Sequence, residues 1–266
     1  MAFQSRRAAA VFWKDFLDLR KNRGLMWTLL VFPAILVMVP AGIVFAYVRD
    51  ATDASLRTMA LFYDPNFPRG ASAARYLIDR TLTDWFGLYL LMPVFVPILI
   101  SSQSVAGEKE KRTIEPLLAS PVSAAEIIVG KSLAAVVPAA VVSLAAFILF
   151  CGLVDAASWR LLQEPLLPNG MWLFGVLVVA PLFAFFGNGV AVLVSARVAD
   201  SRLAQQLSGL VTLPLIGLVG LQLANLIKAG TRYYAIEGAV VLLLDILLVI
   251  AGIRLFDRDR LISRWV

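Results

Sequence analysis

The chain has 266 residues, 60 % hydrophobic and 16 % charged, and carries 24 Lys and Arg against 18 Asp and Glu, a net charge of +6. That balance excludes a soluble globular domain, for which about 25 % charged residues is ordinary, and lipid has to take up the apolar excess. Histidine is absent and Cys151 is the single cysteine, which removes the commonest general base, the commonest metal ligand and any intrachain disulfide.

In chain order, residues 1–24 predict an interfacial helix. At 100° per residue Ala8, Phe12, Phe16 and Leu19 share one face and Arg7, Lys14, Asp18 and Lys21 the other, a basic amphipathic pattern suited to lying flat in a leaflet. Apolar runs long enough to cross about 30 Å of hydrocarbon follow at 25–48, 85–106, 133–154, 172–195, 207–227 and 238–255. Backbone groups in lipid must be satisfied within the segment, so each run is expected as an α-helix. Pro93, Pro97, Pro138, Pro181 and Pro214 fall inside runs and predict kinks. The first run is long and sits behind a charged segment, so it is expected as a retained span and not a signal peptide.

The segment 49–84 between the first two spans is too short for a core of its own. Within it, 58–63 is apolar and strand-like, Asp64-Pro65-Asn66 and Pro68-Arg69-Gly70 are turn chemistry, and 71–82 reads as a helix. With the N-terminus inside, the inner segments and the inner end of the last span hold 16 basic residues and the outer ones 8. The positive-inside rule therefore places both termini in the cytoplasm. Basic residues in so apolar a chain flank spans and face anionic lipid, and no nucleic-acid partner is expected.

The cytoplasmic segment 107–132 is dense in charge. Glu108 and Arg112 form an i,i+4 pair in the favourable order, and Lys111 and Glu115 the reversed one, so the second span should continue past the membrane. Pro116 disfavours helix at Glu115 and suits the first position of a new helical turn. That turn would show Leu117 and Leu118 and end at Pro121. Ser123-Ala124-Ala125-Glu126 has the form of a capping box, predicting a helix over 124–153, about 45 Å long. The expected shape is a stiff elbow of helix, short turn and helix, with exposed leucines suited to a partner's groove. A plain solvated loop with ordinary caps fits the same residues.

This segment resembles the cytoplasmic loop of the ABC type-2 permeases, membrane subunits of bacterial ABC exporters, and is most similar to the sodium-extrusion type. The residues carrying the resemblance are Glu108, Glu110, Thr113, Ile114, Glu115, Leu117, Leu118, Ser120, Pro121, Ser123, Glu126, Gly130 and Lys131. Arg112, where Gly is usual, and Pro116 depart from the pattern. Arg197, Ser201, Ala204, Gln205, Gln206 and Pro214 look like that family's loop into the fifth span, and Phe256-Asp257-Arg258-Asp259 like its ending. The resemblance implies an all-α integral membrane protein, one permease domain over 1–266 with six spans. It also implies pairing with a second permease subunit, identical or related, and docking on a separate ABC ATPase at a coupling helix within 107–132. ATP and Mg would then sit on that partner. This chain has no G-x-x-x-x-G-K-[ST] phosphate loop and is expected to bind no cofactor and to be no enzyme.

Inside the membrane, Asp245 costs at least about 2.5–3.5 kcal/mol on insertion scales. It is either an ion or proton contact or a hydrogen-bond partner of another helix. Asn188, in Gly187-Asn188-Gly189, marks a close helix contact. Gln222 and Asn225, three apart, line a path or bond each other. Asn188, Gln222, Asn225 and Asp245 are the candidate path residues. Two other readings are a secondary transporter with Asp245 as its ion site and an ABC-derived membrane scaffold or immunity protein.

Overall fold

The computed structural model describes residues 4–49, 52–110, 122–198 and 200–255. The segment 111–121, with Arg112, Thr113, Glu115, Leu117, Leu118, Ser120 and Pro121, lies outside them, as does the ending from Phe256. The described residues form an all-α bundle.

Helix α1, Ser5–Lys21, is the amphipathic helix expected from the sequence. Helix α2, Arg23–Arg49, is the first span. The next element corrects the sequence reading: residues 53–63 form helix α3, Asp53–Tyr63, and 58–63 is no strand. Thr52 caps it, its hydroxyl accepting from Ser55 N–H at 3.3 Å. The i,i+4 pair Leu56 and Ala60 packs on Ala73, Ala74 and Leu77, so helical spacing is what buries this face.

Helix α4, Ala73–Glu110, is one 38-residue element. The sequence reading broke it between 82 and 85, but nothing there stops a helix. Arg80 and Asp84 pair at 2.7 Å, and Thr81 and Thr83 donate their hydroxyls to Leu77 O and Asp79 O. Helix α5, Ala124–Leu162, begins at the predicted capping box and outruns the predicted end by two turns. Its extension has no breaker until Gln163, which takes the left-handed conformation at φ 51°.

Helix α6, Gly170–Arg197, contains a π-helical turn at Gly175–Val179. A Cβ at Gly175 would lie 1.8 Å from the Phe86 ring, so that ring occupies the space of the missing side chain. The run expected at 207–227 starts six residues earlier, and its kink falls just before Pro214. It is helix α7, Ser201–Leu210, followed by helix α8, Leu213–Leu223, bent by 40°. Pro214 has no N–H to give residue 210, and Thr212 donates its hydroxyl to Gly209 O at 2.6 Å. Helix α9, Thr231–Leu255, ends the described chain. With α7 and α8 counted as one span, six helical segments are long and apolar enough to cross a membrane.

Helix α4 is the hub and packs on α2, α3, α5, α6, α7 and α8. In its most apolar stretch 78 % of residues are buried, against 11 % in α9, which leans chiefly on α6. An aromatic cluster fills the core: Trp172 sits edge-on to Phe86 at 4.7 Å and stacks on Phe147 at 5.9 Å. Tyr89 lies beside it and donates its hydroxyl to Ser143 O at 2.5 Å.

Candidate functional site

The segment that connects α4 to α5 is rooted in described residues on both sides, and α1 packs across those roots. At the start of α5 the capping box is complete. Glu126 N–H donates to Ser123 Oγ at 3.3 Å, and Ser123 N–H donates to Glu126 Oε2 at 2.7 Å. The other oxygen of Glu126 accepts from Gln4 N–H at 2.7 Å. One fully buried carboxylate therefore caps two helices, α5 and the start of α1. One turn on, Gly130 meets α1 backbone to backbone. A Cβ there would lie 2.6 Å from Ala8 O and 2.7 Å from Val11 Cβ, so no larger residue fits without moving α1.

Beside Gly130 the charges close into a cluster. Lys131 Nζ lies 2.9 Å from Glu108 Oε2 and 3.1 Å from Asp15 Oδ2. Lys14 pairs with the other oxygen of Glu108 and lies 3.5 Å from Asp15. Lys131, Asp15 and Glu108 are nearly buried, their side chains 6–11 % exposed. Among the described residues two ammonium and two carboxylate groups balance, the condition under which charge can be buried. Burial disfavours the Lys14 ammonium, but the hydrogen bond and charge of Glu108 and the charge of Asp15 outweigh it and raise its pKa above the ordinary lysine value.

The sequence reading puts Lys14 on the polar face of α1, and its pairing of Glu108 with Arg112 falls on a residue outside the described ones. In the structure Glu108 is held by Lys14 and Lys131, and α1 turns Val11, Ala8, Asp15 and Leu19 toward the bundle. Lys14 and Glu108 are 94 positions apart and Asp15 and Lys131 are 116 apart, which no local pattern reveals. Gln4, Lys14 and Asp15 were accordingly missed as members of the site. A further tie comes from Ser201 at the start of α7, which donates its hydroxyl to Glu110 Oε2 at 3.0 Å. Helices α1, α4, α5 and α7 are thus bonded together around the two ends of the 111–121 segment.

The candidate path residues do not form one constellation. Asn188 is buried and accepts from Ser101 Oγ at 2.7 Å. Its neighbours make the close contacts expected of them: a Cβ at Gly187 would lie 2.3 Å from Val94 O of α4, and one at Gly189 would lie 3.1 Å from Leu248 of α9. The side chains of Gln222 and Asn225 do not bond each other. Gln222 donates to Tyr234 Oη at 3.1 Å and packs on Gly87. Asn225 accepts from Arg80 and adopts φ 59°, a left-handed position that asparagine tolerates. Three residues apart, they end on different helices because the chain leaves α8 between them.

Asp245 differs from all of these. It lies on the α6-facing stripe of α9, one turn from Val241 and Leu248, between the contacts of Gly238 with Val179 and of Leu248 with Gly189. Both its carboxylate oxygens are buried and have no hydrogen-bond partner among the described residues. The interhelical hydrogen bond that the sequence allowed is not made there.

Among the described residues no group of His, Cys, Asp and Glu could hold a metal ion. No curated protein and no solved structure matches the chain. The family model for the ABC-2 family transporter protein matches residues 9–256, from α1 through the end of α9. An apolar helical bundle whose roots converge on one charged segment, matched over nearly its whole length, makes this chain a multi-pass membrane protein of the ABC-2 transporter family, a permease of an ABC transporter.

Proposed function

We propose that the chain is the permease subunit of an ABC exporter, forming its translocation path with a second permease subunit and driven by a separate ATPase. The ATPase docks on the 111–121 segment, with Leu117 and Leu118 as the apolar contact and Arg112, Thr113, Glu115, Ser120 and Pro121 around it. ATP and Mg bind on that partner. Both termini face the cytoplasm and the spans cross the inner membrane.

The observation that carries this reading is the charged junction at the two ends of that segment. A push on a floppy loop would dissipate. Here α4 ends in an ion cluster and α5 begins at a capping box beside it, so displacement of the segment would move α4 and α5 together, and α1 with them. Glu108, Glu126, Gly130 and Lys131 then transmit force and do not themselves touch the ATPase.

Co-purification with a co-expressed ABC ATPase subunit tests the docking. The ATPase is expected to be retained by the unaltered permease and lost from the Leu117→Asp, Leu118→Asp double variant. Retention by that variant, with its fold intact, would reject the segment as the docking site. The unpartnered Asp245 favours a second reading, an ion-coupled transporter. On that reading Asp245→Asn abolishes uptake driven by an ion gradient in vesicles without ATP; transport that still needs ATP counts against it.

A further inference from the structure

Helix α8 is thinly attached to the bundle. Of its 11 residues only Val219 and Gln222 are buried, and its main packing partner is α4. Leu213, Ile216, Leu221 and Leu223 are exposed. A helix with so few buried contacts belongs to the low-stability part of a fold. At its start the chain bends by 40° away from α7. The N–H groups of Val211 and Thr212 donate there to Ser208 O and Gly209 O at 3.3 and 3.0 Å. Such i→i−3 bonds within a span are the form of a hinge.

The far end of α8 is held by side chains. The chain leaves it through a Schellman turn, in which Asn225 and Leu226 N–H donate to Gln222 O and Leu221 O, both at 2.9 Å, and Asn225 takes φ 59°. Glycine is the usual residue at that position because it has no Cβ. Asparagine adds an amide, and its oxygen accepts from the Arg80 guanidinium of α4. Arg80 is itself fixed. Its Nε pairs with Asp84 at 2.7 Å, and its guanidinium lies over the Tyr63 ring of α3, 5.7 Å from the centroid. Beside this contact Gln222 packs on Gly87 and donates to Tyr234 of α9, whose hydroxyl reaches Thr83 O at 3.5 Å. Arg80 shares one unbroken helix with Glu108, about 40 Å away along its axis, so a tilt of α4 at the junction reaches this contact.

We propose that α8 is a flap, hinged at 211–212 and latched by Arg80 through Asn225, which swings off α4 to let the transported molecule leave. Arg80 is then a positioning residue for transport, and Gln222 and Asn225 belong to the gate. The purpose of the flap rests on the permease reading; the hinge and the latch are properties of the chain under either driving force.

The test is the labelling rate of a cysteine placed under the flap, in the full chain with a co-expressed ABC ATPase subunit in lipid nanodiscs. Cys151→Ser removes the native thiol, and Val219→Cys puts a reporter where the side chain packs on Gly87, 6 % exposed. A charged, water-soluble maleimide should label it slowly. Asn225→Gly suits φ 59° and keeps the backbone turn, so it removes the latch without straining the chain. Asn225→Gly and Arg80→Gln are each expected to speed labelling by about tenfold or more, the worth of one hydrogen bond to a charged group. The two together should label no faster than Arg80→Gln alone. A second reporter, Ser102→Cys, a near-isosteric change at a fully buried site of α4, should keep its rate in both variants. Arg57→Gln, which breaks a pair inside α3, should change neither reporter.

An unchanged Val219→Cys rate in both Asn225→Gly and Arg80→Gln would overturn the latch. So would an equal gain at Ser102→Cys, which means general loosening. Adding MgATP is expected to speed Val219→Cys labelling when Arg80 and Asn225 are unaltered. If the latch variants respond and MgATP does not, the flap stands and the ATP-driven reading falls.

Discussion

Two buried carboxylates, Glu108 at the junction and Asp245 in α9, meet opposite fates in the same chain. Glu108 is the meeting point of two lysines from two other helices. Asp245 faces α6 with neither oxygen bonded among the described residues. The difference follows from the number of neighbours: α1, α4 and α5 converge around Glu108, whereas α9 rests mainly on one helix. Polar side chains in an apolar bundle are held where three elements meet, and the chain has spent its buried charge where three helix ends have to be locked together.

Breaking the junction should have the largest effect. Lys131→Met removes the buried cation that Glu108 and Asp15 share and leaves the half-exposed Lys14 as their lysine among the described residues. Stranding a buried charge in this way costs about 3–5 kcal/mol. The expected result is a clearly lower unfolding midpoint in detergent and faster hydrogen exchange throughout α1. Adding Glu108→Leu should recover part of the loss, and a double-mutant cycle showing simple additivity would contradict a shared cluster.

Gly130→Val tests the backbone contact beside the cluster without touching any charge. Overpacking there should cost about 1–3 kcal/mol and raise exchange in α1 while α9 stays unchanged. The opposite side of the comparison predicts the opposite sign. Asp245→Leu removes a carboxylate with no hydrogen bond among the described residues and should raise the midpoint, by at most the insertion cost of about 2.5–3.5 kcal/mol. Lost transport from a stable Asp245→Leu protein would assign the carboxylate to the path. The smallest effect is expected of Ser201→Ala, which removes the exposed bond to Glu110 and should cost about 0.5–1.5 kcal/mol, read as earlier exchange at the start of α7.

Much of this was legible because lipid simplifies the code. A run such as 25–48 can only be a helix, and Ser123 with Glu126 states its own cap in four residues. Reading failed where the deciding partner is distant or the deciding feature is an absence. The segment 58–63 looked like a strand because β-period and helix-period are indistinguishable in six residues; the Leu56–Ala60 face on α4 made it a helix. The break expected at 82–85 rests on the onset of apolar character, yet hydropathy changes there without any residue that stops a helix.

By itself, the sequence determined that the chain is helical and apolar enough to need lipid, where its principal cap lies, and which family its charged segment resembles. Those are properties of local composition and spacing. Only the tertiary structure decided that α1 belongs to the α4–α5 junction, that Lys14 and Lys131 share Glu108, that Gln222 and Asn225 hydrogen-bond to different helices, and that Asp245 has no hydrogen bond among the described residues. Each of these depends on which helix faces which, and that is set by close contacts at Gly130, Gly175 and Gly187, where a missing side chain lets a distant segment approach.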